Sequence, residues 1–192
     1  MDSSKPGLEV LLVRHAHADW VPDEARPLSA QGLRDAEEVA ELLLSCAPER
    51  IYSSPYPRAV QTVEPLASRL GLEIEIVDGL RERTLADGAV ADFDAALEAS
   101  WADLDLSFPG GESSREAMER FSAAFNDVVS RHDKGTIAIG THGNVFGLLL
   151  HQSDAAYGHE FWYSMTWPDV YRLSLDCGRI IAVERLWKGR SE

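Results

Sequence analysis

The sequence predicts an α/β fold: three layers, α/β/α, around a mostly parallel central sheet, in a single domain over 1–192. Three observations carry this. Short apolar runs alternate with longer segments of helical periodicity, the pattern of strand–helix–strand units. Two of those runs, LEVLLV at 8–13 and TIAIG at 136–140, are apolar throughout and read as buried strands. The chain has 192 residues, 45% of them hydrophobic, which is enough for one large domain with a substantial core.

Taken in order, residues 8–13 form the first strand. Leu33, Ala36, Val39, Ala40 and Leu43 recur at helical spacing, and Ser29 is placed as N-cap, so a helix is expected over 29–45. RIYS at 50–53 is a second strand. The next helix runs from Tyr56 to about Leu70, with Pro57 in its first turn and Gly71 just past its end. Residues 73–77 alternate as a third strand. Over 88–101, Phe93, Leu97 and Trp101 stand four apart on an amphipathic helix. Ser113 and Glu116 have the spacing of a capping box and open a helix to about His132. After the TIAIG strand an apolar helix is expected over 144–150. Two final strands, 170–175 and 180–187, are joined by a turn at Cys177-Gly178. Residues 84–112 read as a small helical insertion.

Charge narrows the function. Thirty-two acids against 18 Lys and Arg give a formal net charge of -14. That balance argues against nucleic acid as a partner and against docking on an anionic membrane. Two cysteines, Cys46 and Cys177, far apart, argue against a disulfide framework and for a reducing cytoplasm. The amino-terminal apolar run is too short for a signal peptide or a membrane span.

Two strands end alike. LEVLLV leads into Arg14-His15-Ala16, and TIAIG leads into Thr141-His142-Gly143. In an open α/β sheet the ligand site lies beyond the carboxyl ends of the strands, so the matched pair of histidines falls where a site belongs. Arg58 stands in the first turn of its helix, where a cation faces the positive end of the helix dipole. That costs about 0.3–1 kcal/mol unless an anion is present. Arg14 follows a buried strand, so its charge needs a partner. Two guanidiniums with two imidazoles suit a phosphoryl group, since arginine offers bidentate donors and stays charged. Glu82, in LRER, can protonate a leaving oxygen, although its spacing alone describes a surface glutamate equally well.

At this point the sequence resembles the histidine phosphatase superfamily, in its phosphoglycerate-mutase-like branch. The resemblance is carried by LLVRHAHADW, RPLSAQG, YSSPYPRAVQT, LRER, FPGGES and GTHGN, in that order from residue 11 to about 144. It implies the phosphoglycerate-mutase-like fold and a phosphatase hydrolysing a small phosphorylated substrate. His15 would be the nucleophile and Glu82 the proton donor. Arg14, Arg58 and His142 would bind the phosphate, with neither metal nor cofactor. Some positions depart from the family. Ala16 stands where glycine is usual, and His17-Ala18 where Glu-Thr is common. His17 either contacts phosphate or substrate or faces solvent. Gly147 replaces an arginine four residues after the glycine of the THG motif, and Thr84-Leu85 follow Arg83 where mutases continue HYG. The last difference, with the short tail after the final strand, favours a phosphatase over mutase-type phosphoryl transfer.

Two other readings remain open. His15-x-His17-x-Asp19 fits the HxHxD pattern of metal-dependent hydrolases, though that pattern continues with histidine where Trp20 stands here, and it leaves Arg58 unexplained. A catalytically silent binding module on the same fold is the other. Substrate identity and oligomeric state are not written in the sequence. The segment from Thr84 to Pro109 holds six acids (Asp87, Asp92, Asp94, Glu98, Asp103 and Asp105) and no Lys, Arg or His. A second phosphate on a substrate would meet repulsion wherever those acids face the cleft.

Overall fold

The structure is a computed structural model and describes residues 7–19, 21, 24–88 and 90–189. Six strands form one sheet in the order β3-β2-β4-β1-β5-β6: β1 (Leu8–Arg14), β2 (Arg50–Ser53), β3 (Ile74–Ile76), β4 (Gly135–Thr141), β5 (Asp169–Asp176) and β6 (Arg179–Arg185). β1 to β4 pair parallel. β5 is antiparallel to both β1 and β6, so five of the six strands share one direction. The expected fold class is therefore found.

Successive side chains of a strand point to opposite faces, and β1 shows how this builds three layers. Leu8, Val10 and Leu12 pack with Phe121, Phe125, Phe146 and Leu148, from α4 (Ser114–Ser130) and α5 (Gly143–Ser153). Leu11 and Val13 pack with Val39, Leu43, Val63 and Leu66, from α1 (Ala30–Leu44) and α2 (Pro57–Leu70). β1 and β4 are central, and both faces of each are covered.

Local signals set most boundaries as expected. Ser29 caps α1 by accepting from Gly32 N. Gly71 ends α2 in the left-handed region, at φ 65°. Ser113 and Glu116 form a reciprocal capping box at the start of α4. Cys177 and Gly178 both have positive φ in the β5–β6 turn, the geometry that matches the twist of a hairpin. Both thiols are free.

Some expectations need correction. Leu33 is 51% exposed and Phe93 56% exposed, so neither is a core position. Leu33 lies in the groove between α1 and α2 rather than beneath it. α3 spans only Phe93–Ala102, because Asp92 caps it through Ala95 N. This puts Phe93 at the first position, with Ala96, Leu97 and Ser100 turned inward. The expected start of that helix touches Ala89, and the HxHxD pattern breaks off at Trp20; both residues lie outside the described residues. A one-turn helix, α6 (His159–Tyr163), had no sequence signal.

The segment 84–112 leaves and returns at one place. Glu112 N donates to Thr84 O (2.8 Å) and Asp87 N to Pro109 O (2.9 Å). A Cβ at Gly111 would lie 2.1 Å from Leu85 O, so glycine is what lets the two ends meet.

Candidate active site

β1 and β4 are neighbours, with Arg14 in register with Thr141, and a histidine follows each. His15 N donates to Thr141 O (2.9 Å). The chains therefore leave the sheet together, and the His15 and His142 rings meet edge to face, 5.2 Å between centroids.

Nδ1 of His15 lies 2.7 Å from Ala16 O. A carbonyl oxygen only accepts, so Nδ1 carries the proton and the lone pair resides on Nε2. Burial, reinforced by the charges of Arg58 and Arg14, holds the His15 pKa down to about 3, and the ring is neutral at ordinary pH. The loop is pinned from below: Ala16 N donates to Thr62 Oγ1 (2.9 Å), which donates to Arg58 O (2.7 Å). The loop that carries His15 and the first turn of α2 thus share one hydroxyl.

His142 is fully buried, with Nε2 2.7 Å from Ser54 Oγ. Ser54 Oγ accepts from Tyr56 N, and its own hydroxyl proton is free to bond Nε2. With Ser54 Oγ donating to Nε2, the ring proton sits on Nδ1, the atom without a partner. Burial keeps the ring well below the ordinary histidine pKa, so His142 is neutral.

Both arginines are buried, and desolvation brings each down to about pKa 10, still charged at neutral pH. Arg14 donates to Met165 O (3.1 Å) and lies under the Trp167 ring, 4.0 Å from its centroid. Arg58 donates to Glu24 O (3.0 Å) and stacks on Tyr56 at 4.7 Å. The Nε of each has no partner. Buried nitrogens without partners thus occur on Arg14, Arg58 and His142, the two charges and the ring that bear on His15. Unsatisfied buried polar groups are costly, and a tetrahedral oxyanion satisfies all three.

Glu82 stands at the amino end of α5. It accepts from Asn144 N (3.1 Å), Val145 N (3.1 Å) and Arg83 N (2.9 Å). Its charge contributes to the environments of both Arg14 and Arg58, so the sequence-nominated carboxyl group joins the cradle. His17 does not: it is exposed and its Nδ1 is held by Ser29 Oγ at 2.8 Å. Among the described residues no three His, Cys, Asp or Glu side chains converge as ligands for a metal ion, and His15, His17 and Asp19 all lie within that set.

Sequence reasoning missed several participants. Arg26 adds positive charge around His15, His142 and Arg58. Thr62 and Ser54 fix the loop and the tautomer. Asn144 is buried with both amide atoms unpartnered. Gly143 is required by space: a Cβ there would lie 2.6 Å from Arg14 Cζ. Arg26 lay within the RPLSAQG segment, Ser54 and Thr62 within YSSPYPRAVQT, and Gly143 and Asn144 within GTHGN, but nothing local in those segments named their individual roles.

A neutral imidazole beside two buried guanidiniums, beyond the carboxyl ends of a parallel sheet, is an arrangement that suits phosphoryl groups. The sequence places the chain within one family of such proteins. Residues 10–179 match the model of the histidine phosphatase superfamily, branch 1, and the chain belongs to that superfamily. A relative, the probable phosphoglycerate mutase GpmB of Proteus mirabilis, is 31% identical over 159 residues, covering 74% of this chain and 73% of its own. Among solved structures, a mycobacterial glucosyl-3-phosphoglycerate phosphatase in complex with inorganic phosphate has a similar fold, with TM-score 0.77 and 23% identity over 92% of this chain and 94% of that one. A putative alpha-ribazole-5'-P phosphatase of Escherichia coli gives TM-score 0.71 and 18% identity over 96% of this chain and 100% of that one.

Proposed function

We propose that the chain is a metal-independent phosphomonoester phosphatase that carries the phosphoryl group on Nε2 of His15. The observation that carries this reading is the Nδ1 contact with Ala16 O. It commits the ring proton to one nitrogen and leaves the other as nucleophile amid the unmatched donors.

In this reading Nε2 attacks phosphorus in line and the P–O bond to the leaving group breaks. Arg14, Arg58 and His142 Nδ1 hold the equatorial oxygens, where charge accumulates. Glu82, protonated, gives its proton to the departing oxygen. Water then attacks the phosphohistidine and passes a proton to the Glu82 carboxylate, releasing phosphate and restoring both groups. His17, with Nδ1 taken by Ser29, offers Nε2 to the substrate.

Residues 84–112 serve as the lid over the leaving-group side. Support comes from the hydrogen-bonded base of that segment and from Glu24, which lies 3.5 Å from Thr84 Oγ1 while its carbonyl holds Arg58. The lid carries no cation between Thr84 and Pro109. The arginine after Glu82 is committed elsewhere, with Arg83 NH1 donating to Ser100 and Ser114. Asp92 is a helix cap and Asp105 pairs with Arg115, so those two acids have structural partners. A bisphosphate, which mutase chemistry requires, finds no counter-charge on the lid, and this favours hydrolysis of monophosphates. The charge balance favours a small phosphorylated substrate over nucleic acid, and the free thiols support a cytoplasmic setting. Among the described residues no helix is long and apolar enough to cross a membrane.

The direct test is rapid-quench trapping with a labelled aryl phosphate. An acid-labile, base-stable phosphoenzyme is expected in the wild type, and none in His15→Ala. An adduct that survives in that variant moves the nucleophile elsewhere.

A further inference from the structure

Arg14 has a competitor for its charge on the neighbouring strand. Asp169 is its cross-strand partner in the β1–β5 pair. Directly opposed residues of an antiparallel pair project from the same face, with Cβ atoms about 5 Å apart. Asp169 is 0% exposed, and its charge acts on Arg14. Yet Arg14 makes no ion pair with it. Its guanidinium goes to Met165 O and under Trp167 instead.

The carboxylate is already occupied. Arg185, on the edge strand β6, donates through Nε to Oδ1 (2.9 Å) and through NH2 to Oδ2 (2.6 Å). Val170 N takes Oδ1 and Thr166 N takes Oδ2, each at 3.0 Å. Four donors leave little acceptor capacity for Arg14. The same set fixes the 165–168 loop: Thr166 N is held by Asp169, Thr166 Oγ1 donates to Pro168 O (2.6 Å), and Arg185 NH2 reaches Thr166 Oγ1 (3.4 Å). That loop supplies the carbonyl and the indole that hold Arg14.

We infer that Arg185 is a positioning residue for the phosphate site: by saturating Asp169 in a bidentate pair, it prevents that buried carboxylate from capturing Arg14, and so keeps Arg14 available to the substrate. A buried carboxylate that loses its partner must find another cation or be neutralised. The nearest guanidinium on its face of the sheet is Arg14. This goes beyond the assignment of Arg14 to phosphate and rests on it.

The inference predicts a sign that a purely structural role does not. In Arg185→Met, Arg14 swings to Asp169, and misplacement of a binding group by about 1 Å costs on the order of 10²-fold. Vanadate affinity and kcat/KM should both fall by about that factor. Adding Asp169→Asn removes the captor, so the double variant should recover at least tenfold of both. If the pair merely held β5 and β6 together, the second substitution would leave the loss unchanged or deepen it. The experiment is a competition assay with vanadate and an aryl phosphate on wild type, Arg185→Met and Arg185→Met/Asp169→Asn, with urea unfolding alongside. Arg185→Met within twofold of wild type, or a double variant no better than the single, overturns the inference. If Arg185→Met does not fold, Arg185→Lys takes its place in both variants, because its ammonium keeps charge beside Asp169 but cannot bond both oxygens in plane. A wild type that neither binds vanadate nor hydrolyses any phosphomonoester overturns the proposed function instead.

Discussion

Gly143→Ala isolates the contribution of Arg14 without touching its chemistry. The added Cβ would lie 2.6 Å from Arg14 Cζ, 2.7 Å from Nε and 2.9 Å from NH2, whereas non-bonded carbons rest at about 3.5–4.0 Å. The Trp167 ring covers the guanidinium at 4.0 Å, and only the opposite face is left for Gly143. The guanidinium must therefore shift by about 1 Å. A hydrogen bond to a charged group contributes about 1.5–3 kcal/mol, so losing one from a bound phosphate corresponds to roughly 10–10²-fold. We expect kcat/KM to fall by about 10²-fold and vanadate affinity to fall with it. Stability should fall only modestly, because the clash is with the end of a side chain and not with backbone. The assay pairs steady-state kinetics with urea unfolding, and repeats both in an Arg14→Ala background. There Gly143→Ala should cost little more, because its target is gone. Activity within threefold of wild type, or an equal further loss without Arg14, refutes the reasoning.

Three other outcomes are expected. Glu82→Gln should cost roughly 10²–10⁴-fold on an alkyl phosphate and much less on an activated aryl phosphate, whose phenolate leaves unaided; equal losses on both would remove Glu82 as the acid. Exhaustive EDTA treatment should leave turnover intact while vanadate inhibits, whereas inactivation by the chelator with loss of stoichiometric zinc would reinstate the HxHxD reading. Burial lowers the pKa of His15 to about 3 and that of His142 well below 6.5, so from about pH 6.5 downward the unfolded chain binds protons at these sites that the native chain refuses. Stability must then fall as pH drops, by about 1.4 kcal/mol per pH unit for each histidine fully in that window. Urea unfolding between pH 6.5 and 5 should show a shallower decline in His15→Gln, and an unchanged slope would contradict the buried neutral ring.

The parts of this molecule that were legible from sequence are those specified within a few residues. LEVLLV and TIAIG read as strands because both of their faces are covered by helices. The Ser113/Glu116 box and the Pro57 and Gly71 boundaries are rules of single helix ends. Arg58 was legible as an electrostatic misfit at a helix start. What was not legible depends on partners distant in the chain. Thr62 matters because it meets Ala16, and Gly143 because it meets Arg14. Leu33 and Phe93 fit helical spacing, but spacing does not report what lies opposite. The sequence left His17 open between substrate and solvent, and it could not show the hydrogen bond to Ser29, twelve residues on, that ties it to the start of α1.

Glu82 and Arg83 are adjacent in sequence and serve opposite sides of the backbone. Glu82 reaches the amino end of α5, while Arg83 turns away and binds Glu112 O, Ser100 Oγ and Ser114 Oγ. It thereby ties α3, the start of α4 and the returning end of the 84–112 segment to one buried cation. The carboxyl group proposed to handle the proton is thus followed directly by the anchor of the proposed lid. If the proposed lid meets the leaving group, residues between Asp87 and Pro109 can be exchanged to suit a new one while Glu82 stays in place, provided the serines and the Glu112 carbonyl still receive Arg83. The segment behaves as an interchangeable cartridge with a fixed socket, and Arg83 is the pin that seats it.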